Sequence, residues 1–141
     1  MTFELHPRLA ADSLHLGDLP LCQLRLMNDQ RFYWLLLIPR LADAIEVTDL
    51  NEQQYVQMWQ EVRQLAEVIK PLTSADKLNV ATLGNMVPQL HLHLIARFKS
   101  DAAWPGPIWG VGSAEHYTDA DISQLKSALQ QACDHLPIHW V

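Results

Sequence analysis

Residues 84–97 read GNMVPQLHLHLIAR, Gly84 to Arg97, and the architecture is decided there. From Leu90 onward apolar and polar side chains alternate, as in a strand whose two faces meet different surroundings. Leu90, Leu92, Leu94 and Ala96 make an apolar row for a core. Gln89, His91, His93 and Arg97 make the opposite row, with the two imidazoles about 7 Å apart along the strand. This strand is predicted over Leu90–Phe98, with another over Leu78–Leu83. Gly84–Gln89 separates them, and short turns between consecutive strands favour an antiparallel sheet.

On the N-terminal side, Cys22–Met27 alternates with period two, Asn28–Arg31 is a polar turn, and Phe32–Ile38 is a nearly continuous apolar run stopped by Pro39. Together they read as an antiparallel hairpin whose second strand is covered on both faces. Asp49 and Glu52 have the spacing of a capping box, so a helix is predicted from there to about Lys70, halting before Pro71. Its apolar stripe is Tyr55, Met58, Trp59, Val62, Leu65, Ala66 and Ile69. On the C-terminal side, Trp104–Gly110 is rich in Pro and Trp and reads as a shaped loop. A last helix is predicted from Thr118–Asp119 to about Cys133. No linker-like segment or repeat interrupts the chain, so no domain boundary is drawn within residues 1–141.

Ten Lys/Arg against sixteen Asp/Glu leave a net charge of −6, which argues against nucleic-acid or membrane-surface binding. Two cysteines, Cys22 and Cys133, are too few for a disulfide scaffold and read as buried thiols of a reducing compartment. No apolar run approaches the roughly 18 residues of a membrane span, and the N-terminus lacks the apolar core of a signal peptide. A cytoplasmic protein is expected. Against this acidic background, Lys77–Ser100 contains no Asp or Glu but has Lys77, Arg97 and Lys99. A small anion would find that window favourable.

Three uses of His91 and His93 compete. They are half-buried strand residues bonded to backbone, or two ligands of a metal, or the nucleophile and acid–base groups of phosphoryl chemistry. The metal reading lacks a third ligand nearby. His6, His15, His116, His135 and His139 have no spacing that demands chemistry and read as surface or capping residues.

The pattern Gly84-x-x-Val87-x-Gln89-x-His91-x-His93-Leu94-Ile95 resembles the signature strand of the histidine-triad (HIT) nucleotide hydrolases and transferases. Leu83-Gly84-Asn85-x-Val87-Pro88-Gln89-Leu90-His91 and Trp104-Pro105-x-Pro107-x-Trp109-Gly110 are similar to elements of a bacterial branch of that superfamily. The resemblance covers roughly residues 20–110. It implies an α+β HIT fold: an antiparallel sheet of about five strands, the long helix packed on it, a C-terminal helix, and one HIT domain over 1–141. It also implies a homodimer, a nucleotide substrate and no cofactor. His91 stands at the family nucleophile, which attacks the α-phosphorus of a phosphoramidate or dinucleoside polyphosphate to give a nucleotidyl-histidine. His93 resembles the residue that bonds phosphoryl oxygens. Asn28 and Asp29 resemble the ribose-binding positions. Asn79 and the Gly84-Asn85-Met86-Val87 loop resemble the phosphate cradle, and Trp104 the border of the nucleotide site. Two positions depart from the pattern: Gln89 replaces the first histidine, and Met86 a hydroxyl residue. A non-catalytic nucleotide-binding protein is the alternative that these departures leave open.

Overall fold

The computed structural model describes residues 2–141. In chain order the elements are α1 (Pro7–Asp12), β1 (Ser13–Asp18), β2 (Cys22–Met27), β3 (Tyr33–Pro39), α2 (Glu52–Thr73), β4 (Lys77–Ala81), β5 (Leu92–Arg97), α3 (Asp119–Ala132) and β6 (His139–Trp140). The strands form one antiparallel sheet in the order β4-β5-β3-β2-β1-β6. The fold is therefore α+β, with six strands where about five were expected. The two strands not located from the sequence are β1, with α1 leading into it, and the two-residue β6. Gly17 is required where β6 crosses β1, because a Cβ there would lie 2.9 Å from the His139 carbonyl oxygen.

The hairpin of β2 and β3 forms as its alternation predicts, with Leu24 opposite Leu37 and Leu26 opposite Leu35. All of β3 but Tyr33 is buried, because both sheet faces are covered. One face packs Leu24, Leu26, Leu35, Leu37, Leu92 and Leu94 against Met58, Val62, Leu65 and Ile69 of α2. Each of those α2 side chains contributes roughly 2 kcal/mol on leaving water. The other face carries Trp34, Leu36, Ile38 and Ile95, closed by Leu9 of α1, Val87 and Ile108. It is on this second face that the two motif histidines lie.

The long helix departs from its expected cap. Its capping box joins Asn51 and Gln54, whereas Asp49 closes a short 3-10 turn, Val47–Asp49, with Glu46. It also runs through Pro71 to Thr73, since a proline in the last turn sacrifices a single hydrogen bond. Within it, Glu61 is fully buried and accepts from the backbone N–H of Leu21 (2.9 Å) and Cys22 (2.8 Å) and from Gln57 Nε2 (2.6 Å). One carboxylate thus fixes the turn between β1 and β2 on the helix. Glu61→Ala strands those two N–H groups, and urea denaturation is expected to show a loss of about 3 kcal/mol.

Candidate active site

His91 immediately precedes β5 and His93 is its second residue, both on the face away from α2. The motif strand begins two residues later than expected, at Leu92, because the Leu90 N–H leaves the sheet to bond the Ala44 carbonyl (2.9 Å). The imidazoles come closer than a flat strand allows, with ring centroids 5.0 Å apart. Both are nearly buried, 6% and 4% exposed.

Their hydrogen bonds fix where each proton sits. His91 Nδ1 lies 2.6 Å from the Gln89 carbonyl oxygen. A carbonyl can only accept, so Nδ1 carries the hydrogen and Nε2 keeps its lone pair. The His93 ring is held the other way. The Trp34 indole N–H donates to His93 Nδ1 at 2.9 Å, which places the proton on Nε2. Trp34 and Trp109 also bracket that ring, at 5.7 and 5.1 Å between centroids. Burial lowers the pKa of His91 below the ordinary imidazole value; the Gln89 carbonyl opposes this, and His6 lowers it further. Burial, then the neighbouring His91, bring His93 down to about 3. At neutral pH the pair is uncharged, one ring presenting a lone pair and the other an N–H. Long-range ¹H–¹⁵N correlation is expected to report Nδ1–H for His91 and Nε2–H for His93. In Trp34→Phe the His93 signal is expected to mix tautomers and its titration to move upward.

Trp34 carried no mark in the sequence except its place on the strand beside the motif. His6 is the other residue brought into play. Its backbone N–H donates to Gln89 Oε1 (2.8 Å), while Gln89 Nε2 donates to the Glu4 carbonyl (2.8 Å). The glutamine amide pairs with the N-terminal segment as another peptide group would.

The remaining candidates divide. Asn79 and Trp104 are not at the histidines but at the far end of β5, around Arg97. That guanidinium is 2% exposed and donates to Asp101 through Nε (2.8 Å) and Nη2 (3.1 Å), to Asn79 Oδ1 (2.8 Å) and to the Gly106 carbonyl (2.8 Å). Trp104 lies over it at 5.6 Å. The positive window read from Lys77 to Ser100 is therefore closed by an acid one residue beyond it. Arg97 is spent on Asp101 and is not offered to an anion.

Gly84 sits at φ +73°, as the bend after β4 needs. In the loop it opens, Met86 is 73% exposed while Val87 packs beneath Trp34 and Ile95. Asn28 and Asp29 line a cavity of about 290 Å³ with Trp34, Trp109, Arg31 and Asp12. The Asn28 side chain accepts from the Tyr117 N–H (2.9 Å), and Asp29 pairs with Arg31 at 2.9 and 2.7 Å. Burial acts to raise the Asp29 carboxyl, but Arg31 and the N–H groups of Glu115 and Arg31 hold it below the usual range.

Among the described residues, no three His, Cys, Asp or Glu side chains cluster as a metal ion requires, and no helix is long and apolar enough to cross a membrane.

Residues 8–100 match the family described as HIT domain. The chain is similar in structure to a histidine triad protein from Bradyrhizobium japonicum, with 43% identity, coverage of 94% of this chain and 98% of that one, and a TM-score of 0.91. A histidine triad protein from Marinobacter aquaeolei VT8 gives 43% identity, 96% and 99% coverage and a TM-score of 0.93. One from Sinorhizobium meliloti 1021 gives 41%, 92% and 96%, and 0.90. No curated protein matches.

Proposed function

Because this chain belongs to the HIT domain family, we propose that it is a nucleotide hydrolase or transferase that works through a nucleotidyl intermediate on His91. The observation that carries this reading is the opposite tautomers of the two buried imidazoles. His91 Nε2 brings its lone pair to the α-phosphorus of a bound nucleotide. The N–P bond forms as the bond to the leaving group breaks, and the leaving group takes the bonding pair. The ring then carries a positive charge, which the Gln89 carbonyl stabilises through Nδ1–H at 2.6 Å. His93 Nε2–H donates to a phosphoryl oxygen as negative charge builds there. Water attacks the phosphorus in the second displacement, restoring the lone pair to His91 and releasing the nucleoside monophosphate.

The nucleoside fits the cavity of about 290 Å³ walled by Trp34 and Trp109, with Asn28 and the Asp29–Arg31 pair at its edge. Gly84–Val87, opened by Gly84 at φ +73°, is the loop assigned to cradle the phosphates with its main chain. Asn79 and Trp104 serve the nucleotide indirectly, by holding Arg97 and with it the C-terminal end of β5.

The test is incubation with an adenosine phosphoramidate and with diadenosine tetraphosphate, followed by an alkaline denaturing quench, which spares the N–P bond, digestion, and mass measurement of the peptides. An adduct of one nucleotidyl group on the peptide carrying His91, formed equally with and without EDTA, is the expected result. Absence of the adduct together with tight nucleotide binding would leave a binding protein. Loss of turnover in EDTA would require a metal mechanism.

A further inference from the structure

We propose that His6 supplies a third imidazole to the site, donating a hydrogen bond from Nε2 to the leaving group of a substrate seated between the N-terminal segment and Pro88–Gln89. The inference rests on His91 as nucleophile and extends that reading to the opposite side of the phosphorus.

The placement begins with Gln89. Its carbonyl holds the His91 ring, and its side-chain amide holds the backbone of residues 4 and 6. One residue therefore anchors both histidines, although they are far apart in the chain. The His6 ring is itself oriented. Its Nδ1 accepts the Arg8 N–H at 3.1 Å as the cap of α1, so the hydrogen lies on Nε2, on the other side of the ring. His6 and Gln89 line a cavity of about 570 Å³, separate from the one assigned to the nucleoside. The effect of His6 on the pKa of His91 agrees with their proximity. The motif thus lacks a histidine at position 89, but that position recruits one from the N-terminus.

The cavity also selects its occupant by charge. Glu4 and Asp43 line it, and no Lys or Arg does. A polyphosphate leaving group would meet two carboxylates and no cation, whereas a neutral or cationic amine suits them. With a phosphoramidate, the His91 Nε2 pair forms the new N–P bond while the substrate P–N bond breaks toward nitrogen. That nitrogen then has two electron pairs. One takes a proton from solvent, and the other accepts the hydrogen bond from His6 Nε2–H.

His6→Ser keeps an N-cap oxygen for the Arg8 N–H and removes the imidazole. It is assayed beside the wild type and His91→Ala on adenosine 5′-phosphoramidate and on the p-nitrophenyl ester of AMP, whose phenolate departs with little assistance. For His6→Ser, kcat on the phosphoramidate is expected to fall about 100-fold with KM little changed, and on the ester by about tenfold or less. Equal losses on both substrates would mean a structural role and overturn the proposal, as would full activity on both. If the wild type turns over neither of these substrates nor diadenosine tetraphosphate, the nucleotidyl-histidine mechanism falls and this proposal with it; turnover of diadenosine tetraphosphate alone overturns this proposal alone. An inactive His91→Ala beside a fully active His6→Ser overturns this proposal alone.

Discussion

His91→Ala is expected to lower nucleoside monophosphate release by at least about 10⁴-fold and to abolish the nucleotidyl adduct, with the fold retained by circular dichroism. The size follows from the role proposed for the residue. Water attacking the α-phosphorus directly would keep only the benefit of binding and of His93 as a donor. A His91→Ala protein that still turns over within about tenfold of wild type would remove the nucleophile assignment. The pH dependence is a second check on the same ring. His91 attacks when neutral, and burial holds its pKa below the ordinary imidazole value. Protonation therefore begins at lower pH than for an exposed histidine, and the His91-dependent rate should hold to lower pH than an exposed imidazole would allow. A decline centred on the ordinary imidazole value would mean that the ring is solvated during turnover.

Arg97→Leu is expected to cost about 3–5 kcal/mol of stability, the largest single loss foreseen from any substitution on β5. Its side chain and that of Asp101 are 2% and 4% exposed. Removing the guanidinium leaves a buried carboxylate without its charge partner and the Gly106 carbonyl and Asn79 without their donor. Urea denaturation of Arg97→Leu, Asp101→Asn and the double variant measures the coupling. The double variant should be more stable than Arg97→Leu alone, because the orphaned charge is gone. A loss below about 1 kcal/mol would show that the pair is solvated in practice. The acid limb follows the same pair. Burial raises the Asp101 carboxyl, but Arg97 and the N–H groups of Phe98 and Ala103 outweigh it and bring it down to about 2. Its folded value is depressed relative to about 3.9 in the unfolded chain, so its stabilisation is complete above pH 4 and fades as pH falls toward 2. Arg97→Leu should lose that part of the acid transition.

The elements that could be read from the sequence are those whose own side chains repeat. The alternation of Cys22–Met27, the stripe from Met58 to Ile69 and the Thr118 cap each register with a local period or a local hydrogen bond. β1 and β6 have no such support. β1 pairs with β2 through a register shift between His15 and Gly17, and β6 has only two residues. Both exist because the neighbouring strand offers free backbone groups. The site divides in the same way. Alternation placed His91 and His93 on one face, and a count of charges marked the window holding Lys77, Arg97 and Lys99 as favourable to a small anion. A count cannot show pairing, and the acid that neutralises Arg97 lies just outside the window where acids were absent. His6 does cap α1, as a capping residue was expected to, but its link to Gln89, like that of Trp34 to His93, runs through the N-terminal segment or the sheet, and no sequence spacing records such a contact.

The Gln89 amide bridge has a consequence for how the integrity of this protein is judged. It ties residues 4 and 6 to a position more than 80 residues away by two hydrogen bonds, apart from the sheet itself. The free energy needed to detach that segment is the cost of one part-buried and one exposed hydrogen bond and a few apolar contacts, well short of global unfolding. Far-UV dichroism and thermal melts report on the sheet and α2, so a preparation can pass both with the segment released. Amide hydrogen exchange at His6 measures the closed fraction directly, and an N-terminal affinity tag would act on that equilibrium before it acted on anything else.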